Sequence, residues 1–116
     1  MIQKIYKGNQ RFFSTMMKAI VCDGHGGPEV LKVKEQYIPR IVPANGEVLI
    51  KVEATALNRA DLMQRKGKYP PPKGVTDIIG LECAGYLIDD LNIIKTRKFE
   101  SCKRVMALLP GGGYAE

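Results

Sequence analysis

Apolar and charged residues alternate along the stretch EVLIKVEATAL, residues 47–57, and this alternation constrains the fold more than any other feature of the sequence. One face collects four apolar residues at every second position, Val48, Ile50, Val52 and Ala54. The opposite face carries three charged residues and Leu49. Because successive side chains of a strand point to opposite faces, the pattern predicts a half-buried β-strand. The fold must therefore contain a sheet with one covered face.

Short apolar runs separated by glycine and proline turns recur on both sides of this strand. They predict strands at residues 18–22 and 30–37 before it, and at residues 77–88 and 103–109 after it. Gly80 and Gly85 interrupt the third of these runs, where we expect a bulge or a close backbone approach. The fold class is therefore mainly β, and a small, partly open β-barrel with a short helix is favoured over a sandwich.

The short helix is predicted within ALNRADLMQRKGKYPPP, residues 56–72. Asn58 is a good N-cap, and Asp61 completes a short form of the capping box three residues later. Arg65 lies at the negative end of the helix dipole, and Gly67 can adopt the left-handed conformation just past the helix end. These signals predict a helix of two turns.

Tyr69 precedes three consecutive prolines, Pro70 to Pro72, which hold the chain extended and stiff. A phenol on such a loop loses little conformational entropy on binding, and we expect Tyr69 and Asn58 to face the same cleft. The residues alone equally allow a surface connection with a solvent-exposed phenol.

The length of 116 residues and the hydrophobic content of 45% fit one soluble domain, and no tract is long enough to cross a membrane. The net charge of +6 is unevenly spread, because residues 1–18 hold four basic residues and no acid. The other fourteen basic and twelve acidic residues leave the body at +2, which argues against a nucleic-acid partner. Basic clusters around residues 65–68 and 95–104 are interpreted as solvated loops.

Residues 1–16 form a basic, acid-free leader that is similar to a mitochondrial presequence. The stretch RFFST resembles a matrix-processing site with the cut between Phe13 and Ser14. The alternative is an upstream extension without function. The expected location is therefore the mitochondrial matrix or the cytoplasm, and the domain proper covers residues 17–116.

The three cysteines, Cys22, Cys83 and Cys102, are an odd number without the close spacing of a zinc or redox motif. We expect free thiols in a reducing compartment, with Cys83 serving as a small apolar residue in a strand. His25, the only histidine, lies in the glycine-rich stretch DGHGGPE and is interpreted as a loop residue.

Five motifs follow one another along the body of the chain: HGGPEVL, GEVLIKV, ALNRADLMQRKGKYPPP, GLECAG and VMALLPGGGYAE. In this order they resemble the amino-terminal domain of NADPH:quinone oxidoreductases, in the p53-inducible, zeta-crystallin-like branch of the medium-chain dehydrogenase/reductase superfamily. The resemblance covers nearly all of residues 17–116 and implies a GroES-like β-barrel. In the family this barrel forms one wall of a cleft, and a Rossmann domain, absent from these residues, forms the other.

The family binds NADPH in that cleft and transfers hydride to quinones or conjugated carbonyls, commonly as a homodimer. The resemblance places Asn58 beside the nicotinamide, where it orients the cofactor amide, and Tyr69 at the mouth of the substrate site. A phenol is protonated at neutral pH, so we expect Tyr69 to donate a hydrogen bond to a carbonyl oxygen as that oxygen gains charge.

Zinc-dependent alcohol dehydrogenases of the same superfamily carry a cysteine at the position of Asn58. They also carry glycine, histidine and glutamate where this chain has Gly80, Leu81 and Glu82. Two ligands are therefore missing, and Glu82 alone cannot make a catalytic zinc site. We expect no metal and a hydride transfer that does not depend on zinc.

The chain departs from the family in two places. The approach to the last strand, FESCKRV, lacks the family's glycine and aspartate. No strand is followed by a G-x-G-x-x-G helix start, and the stretch PGGGYAE, residues 110–116, is interpreted as a turn.

We therefore expect an amino-terminal piece, cut at its C-terminal end, that binds NADPH weakly and is inactive alone. One alternative is a non-catalytic β-barrel that binds a partner or a quinone through an apolar surface. Another, by fold analogy only, is a chaperonin-cofactor-like oligomer.

Overall fold

The computed structural model describes residues 16–40, 46–88 and 104–116. The described residues form the elements β1 (Met16–Cys22), β2 (Leu31–Tyr37), β3 (Leu49–Thr55), α1 (Arg59–Arg65), β4 (Glu82–Ile88) and β5 (Arg104–Leu108). A turn of 3₁₀ helix, Pro28–Val30, leads into β2. Each predicted strand has a counterpart, and α1 has the predicted length of about two turns, which confirms the mainly β fold class.

The strands form two antiparallel sheets that a third segment joins. β1 pairs with β2, and β4 lies between β3 and β5. Segment 109–116 continues from β5 to β1, where Ala115 bridges Ala19 and the Ile20 N–H donates to the Tyr114 carbonyl oxygen at 2.8 Å. Within the described ranges, β2 and β3 are not paired. The arrangement is the partly open barrel that the sequence predicts.

The core lies where segment 109–116 crosses β1. Its buried members are Met17, Ala19, Ile78, Ile79 and Tyr114. Partly buried apolar side chains of β1 and β2 pack around them. Because removing apolar surface from water is the main favourable term in folding, this core fixes the chain just ahead of β4 against β1.

A β-bulge divides β3 into two halves. The pairing with β4 shifts between Val52 and Ala54, which leaves Glu53 as the extra residue. Gly85 faces the bulge, and a Cβ at this position would overlap the carbonyl oxygen of Lys51. The close approach expected at Gly85 is confirmed. The bulge also reverses the alternation, so Ala54 is exposed and its predicted place on the covered face is wrong.

Residues 77–81 are not part of a strand, which corrects the prediction of one strand over residues 77–88. β4 begins only at Glu82. Gly80 has a φ of +104°, and the carbonyl groups of residues 78–80 accept hydrogen bonds of 2.7 to 3.0 Å from the N–H groups of residues 112–114. The carbonyl groups of residues 78–80 are therefore paired with segment 109–116 and not with a neighbouring strand.

Several predictions fall on residues that the structure does not describe. These are the leader apart from Met16, the processing site, Cys102, and most of the FESCKRV stretch and of the second basic cluster. No helix among the described residues combines the length and the apolar character that crossing a bilayer requires.

Candidate functional site

The first turn of α1 is organised by two polar residues. Asn58 is the N-cap, with an extended backbone, and its N–H donates to Asp61 Oδ2 at 2.7 Å. The N–H of Asp61 in turn donates to the Asn58 carbonyl oxygen at 3.1 Å. The carboxylate half of the predicted capping box is thus confirmed, and its negative charge lies at the positive end of the helix dipole.

The side chain of Asn58 reaches across to the first residue of β4. Its Nδ2 donates to Glu82 Oε1 at 2.7 Å, and both residues are partly buried. Because an ionised carboxylate can only accept, the nitrogen of the Asn58 amide must face Glu82, which fixes the orientation of the amide. Thr55 Oγ1 donates to the Glu82 carbonyl oxygen at 2.7 Å and holds the same residue from β3. The structure therefore joins two positions that the sequence analysis compared with zinc ligands.

Asp61 is also bound to a tyrosine far along the chain. Tyr114 donates its hydroxyl to Asp61 Oδ2 at 2.8 Å, and the exposed fractions of the two residues are 9% and 3%. Burial, reinforced by this hydrogen bond, raises the pKa of the Tyr114 phenol well above its usual value of about 10. Tyr114 was not among the predicted site residues, because residues 110–116 were interpreted as a turn. No local pattern marks it, since its partner Asp61 is 53 residues away in the chain.

The last turn of α1 is closed by backbone groups. Gly67 has a φ of +70°, and its N–H and that of Lys68 donate to the carbonyl oxygens of Gln64 and Met63, both at 2.8 Å. This is a Schellman motif, and it confirms the helix end predicted at Gly67. Arg65 exchanges two hydrogen bonds of 3.0 and 3.1 Å with the backbone of Gly26. The glycine-rich loop that contains His25 therefore packs on the end of the helix, as expected for a loop residue.

Tyr69 follows this helix end and is half exposed, at 50%. It lies four residues beyond the end of α1, whereas Asn58 lies at the beginning. Hydrogen bonds join Asn58 to Glu82 and Asp61, and among the described residues none joins Asn58 to Tyr69. The shared cleft stays a prediction.

Two cavities lie elsewhere in the described part of the chain. The larger, of about 440 Å³, opens between the two sheets and is lined mostly by apolar side chains. The other, of about 350 Å³, lies where segment 109–116 passes β3. Neither cavity is lined by Asn58 or Tyr69. The candidate site at the start of α1 is therefore distinct from both of these cavities.

The described cysteines, Cys22 and Cys83, are not part of this set of hydrogen bonds at the start of α1. Cys22 and Cys83 are free, and burial raises the pKa of both thiols, so neither is an activated nucleophile. Cys83 is buried in β4, as expected for a small apolar residue. Across residues 16–40, 46–88 and 104–116, no three His, Cys, Asp or Glu side chains are grouped to hold a metal ion.

Comparisons with known proteins agree with this architecture. A family described as the alcohol dehydrogenase GroES-like domain matches residues 44–116. The chain is 36% identical over 103 residues to the quinone oxidoreductase of Lama guanicoe. The aligned region covers 87% of this chain and 30% of that protein. It is 34% identical over 100 residues to the synaptic vesicle membrane protein VAT-1 homolog-like of Mus musculus, covering 86% and 23% of the two chains.

A solved structure shows the same fold. The quinone oxidoreductase from Coxiella burnetii superposes with a TM-score of 0.70 at 27% identity, over 88% of this chain and 33% of that one. The chain thus spans between about a quarter and a third of the length of these relatives.

Proposed function

Because the chain belongs to the alcohol dehydrogenase GroES-like domain family, we propose that it is the substrate-side domain of an NADPH-dependent quinone oxidoreductase that works without zinc. The resemblance to quinone oxidoreductases predicted from the sequence is confirmed, since relatives in two of the comparisons carry that name. The cofactor, the zinc independence and the roles of single residues are the proposal.

The observation that carries the proposal is the hydrogen bond of 2.7 Å between Asn58 and Glu82. In zinc-dependent members of the superfamily, a cysteine and a histidine are expected at the positions of Asn58 and Leu81. A thiolate and a neutral imidazole are strong zinc ligands, whereas an amide nitrogen and an alkyl chain are not. Here the amide binds the remaining carboxylate, so one of the two oxygens that Glu82 could offer to a cation already receives a donor.

The same hydrogen bond favours a contact with a nicotinamide. One N–H of the Asn58 amide is committed to Glu82, and the second N–H remains for a carboxamide oxygen. The donor set at this end of the site therefore fits the nicotinamide end of NADPH. When bound, NADPH supplies the hydride. The contribution of Asn58 is to orient the ring, because a fixed amide loses little entropy on binding.

Tyr69 is proposed to act on the acceptor. Its phenol is half exposed on the loop that follows α1, and it can donate a hydrogen bond to a quinone or enone oxygen as negative charge develops there. A donor of this kind stabilises the transition state more than the ground state, so its loss lowers kcat/KM for the acceptor.

The glycines of segment 109–116 do not offer a phosphate cradle. A Cβ at Gly113 would lie 2.8 Å from the Glu82 carbonyl oxygen, and the Gly112 N–H donates to the Ile78 carbonyl oxygen at 2.7 Å. These backbone groups are used in packing, and we propose that this chain alone binds NADPH too weakly to saturate at micromolar concentrations.

A chimera tests the proposal. Residues 16–116 replace the matching third of the quinone oxidoreductase from Coxiella burnetii, and NADPH oxidation is followed with a quinone acceptor. We expect turnover by the chimera and none by the 116-residue chain. Tyr69→Phe in the chimera is expected to lower kcat/KM for the quinone by about tenfold, which corresponds to one lost hydrogen bond of about 1.4 kcal/mol.

The matched control is Tyr37→Phe, which removes another exposed phenol, on β2. A chimera that binds NADPH but reduces no quinone would refute the proposed function. Equal kinetics of the Tyr69→Phe chimera and its parent would remove Tyr69 from the site.

A non-catalytic binding module is the second candidate. It is favoured by the outer face of the β3-β4-β5 sheet, where Met106 and Leu108 are 83% and 88% exposed. Apolar side chains exposed in this way mark surfaces that contact other molecules. A chimera without quinone turnover, together with self-association of the chain that Met106→Lys abolishes, would favour this candidate.

A further inference from the structure

We infer that Tyr114 is a positioning residue for Asn58 and that it acts through the carboxylate of Asp61. The inference rests on the proposed function only for the identity of the molecule that Asn58 contacts. Its structural part concerns four residues of this chain and can be tested without a cofactor.

A single oxygen atom of Asp61 connects Tyr114 to Asn58, and these three residues are called the relay. Asp61 Oδ2 accepts from the Asn58 N–H at 2.7 Å and from the Tyr114 hydroxyl at 2.8 Å. Asn58 and Tyr114 are 56 residues apart in the chain, by subtraction of their numbers, and this atom links them by hydrogen bonds. Any movement of the Asp61 carboxylate is therefore transmitted to the backbone of the N-cap.

The position of Tyr114 is itself fixed from three sides. Its N–H donates to the Ile79 carbonyl oxygen at 3.0 Å, and its carbonyl oxygen accepts from the Ile20 N–H at 2.8 Å. Its ring packs on Gly80, where an added Cβ would lie 2.6 Å from Tyr114 Cδ1. The Tyr114 hydroxyl is thus held in a fixed position, and through its hydrogen bond it positions the Asp61 carboxylate at the start of α1.

The place that Asp61 occupies requires an acceptor. Asp61 is 3% exposed, and its Oδ1 has no hydrogen-bond partner among the described residues. An apolar residue here would leave the Asn58 N–H and the Tyr114 hydroxyl without their acceptor, which is costly in a buried place. What an apolar residue cannot do is accept two hydrogen bonds at one point, and that property defines the position of Asn58.

Asn58 is consequently held at two places by two different partners. Asp61 holds its backbone, and Glu82 holds its amide group at 2.7 Å. Side-chain networks of this kind transmit the loss of one member to the others. Removing the Tyr114 hydroxyl should therefore loosen the amide of Asn58, although among the described residues no hydrogen bond joins Tyr114 to Asn58 or Glu82.

The test uses the ¹⁵N-labelled 116-residue chain. In the Tyr114→Phe variant we expect the two side-chain amide resonances of Asn58 to move and their hydrogen exchange to accelerate by about tenfold, the effect of losing about 1.4 kcal/mol of restraint. Asp61→Asn, which keeps the size of the side chain and one acceptor oxygen, should give a smaller change of the same kind.

Two controls separate positioning from general loosening. Leu31→Ala removes a partly buried side chain of β2 that lies outside the relay, and Tyr37→Phe removes an exposed phenol on β2. Neither variant should move the Asn58 amide resonances. Unchanged Asn58 resonances in a folded Tyr114→Phe chain would overturn the inference. If that chain does not fold, unchanged resonances in Asp61→Asn overturn it equally.

The kinetic arm distinguishes this inference from the proposed function. In the chimera, Tyr114→Phe should raise the KM for NADPH several-fold while kcat changes less, because Asn58 orients the cofactor. A change in the Asn58 resonances without a change in KM leaves the positioning role in place and counts against the nicotinamide contact. No change in the resonances removes the positioning role, whatever the kinetics show.

Discussion

The two ends of α1 are held by different kinds of contact. At the beginning, the side chains of Asn58, Asp61, Glu82 and Tyr114 form a connected and largely buried set of hydrogen bonds. At the end, Gly67 and the backbone of Gly26 close the helix with main-chain groups, in a setting that is mostly exposed. The proposed contact with the cofactor lies at the first end, whereas the hydrogen bonds at the second end close the helix.

The difference shows which contacts depend on residue identity. Main-chain hydrogen bonds at the helix end tolerate many side chains as long as Gly67 can keep a positive φ. The side-chain network at the helix start depends on each of its members, because a buried donor or acceptor without its partner is costly. Substitutions at the two ends should therefore differ in size and in how they combine.

The largest loss of stability is expected from Gly80→Ala, because Tyr114 packs directly on Gly80. The residue has a φ of +104°, and its Cβ would lie 2.6 Å from the Tyr114 backbone nitrogen. Strain and overpacking together should cost about 3 kcal/mol of unfolding free energy, measured by urea denaturation. The control is Gly74→Ala, with a φ of +85° and open space around it, which should cost only about 1 kcal/mol. Equal losses would mean that the packing of Tyr114 on Gly80 contributes nothing.

The next effect is that of Asp61→Ala, at about 2 kcal/mol, because the Asn58 N–H and the Tyr114 hydroxyl lose their acceptor in a buried place. Adding Tyr114→Phe to this variant should cost little more, since the hydroxyl is already unpaired. A double-mutant cycle by chemical denaturation measures the coupling, which we expect to reach about 1 kcal/mol. Simple additivity would show that the two side chains are energetically independent.

At the other end of the helix, Gly67→Ala should cost about 1 kcal/mol. The positive φ of +70° is unfavourable for alanine, and the new Cβ would lie 2.8 Å from His25 Cγ. The exposed imidazole can move aside, so His25→Ala should recover only a small part of the loss. Thermal unfolding of the three variants measures this, and full recovery in the double variant would show that the ring and not the backbone is the obstacle.

The smallest effect concerns alkaline pH. Burial and the bond to Asp61 raise the pKa of Tyr114 in the folded chain, so the unfolded chain loses its phenol proton first. The stability that this group contributes is complete below about pH 10 and falls as the pH rises toward the folded-state value. Unfolding free energies measured between pH 9 and pH 11, a window of ~2 units around the unfolded-state pKa of about 10, should fall less in Tyr114→Phe than in the parent.

The two cysteines add to the same alkaline slope and have to be separated from Tyr114. Burial raises the pKa of the Cys22 and Cys83 thiols, so their contribution is lost from about pH 8.5 upward. The comparison is therefore made in a Cys22→Ser, Cys83→Ala background. An unchanged slope in Tyr114→Phe on that background would contradict the prediction.

The comparison of the helix ends also explains what the sequence could predict. The Gly67 helix end and the Asn58–Asp61 pair depend on residues within a few positions of one another, and local rules identified both. The period-two pattern likewise located β3, but the bulge at Glu53 needs Gly85 from another strand and was invisible in β3 itself. Local patterns therefore determined elements and helix ends.

The remaining features of the fold and of the candidate site depend on contacts between residues that are far apart in the chain. Glu82 is 24 residues from Asn58, and Tyr114 is 53 residues from Asp61, and no spacing rule links such pairs. The strand predicted over residues 77–81 was wrong for the same reason, because segment 109–116 takes its hydrogen bonds. The position of Asn58 at the candidate site came from the resemblance, while its partners came only from the structure.

The double attachment of Glu82 has a consequence for how this domain can vary. Thr55 and Asn58 both donate hydrogen bonds to Glu82. The segment of residues 56–81, which connects β3 to β4, therefore begins and ends beside this one residue. Closing a loop costs only about 0.6 kcal/mol more for each doubling of its length. Insertions or deletions among the prolines thus change how far Tyr69, the residue proposed to contact the acceptor, extends while β3 and β4 keep their register, at almost no thermodynamic penalty.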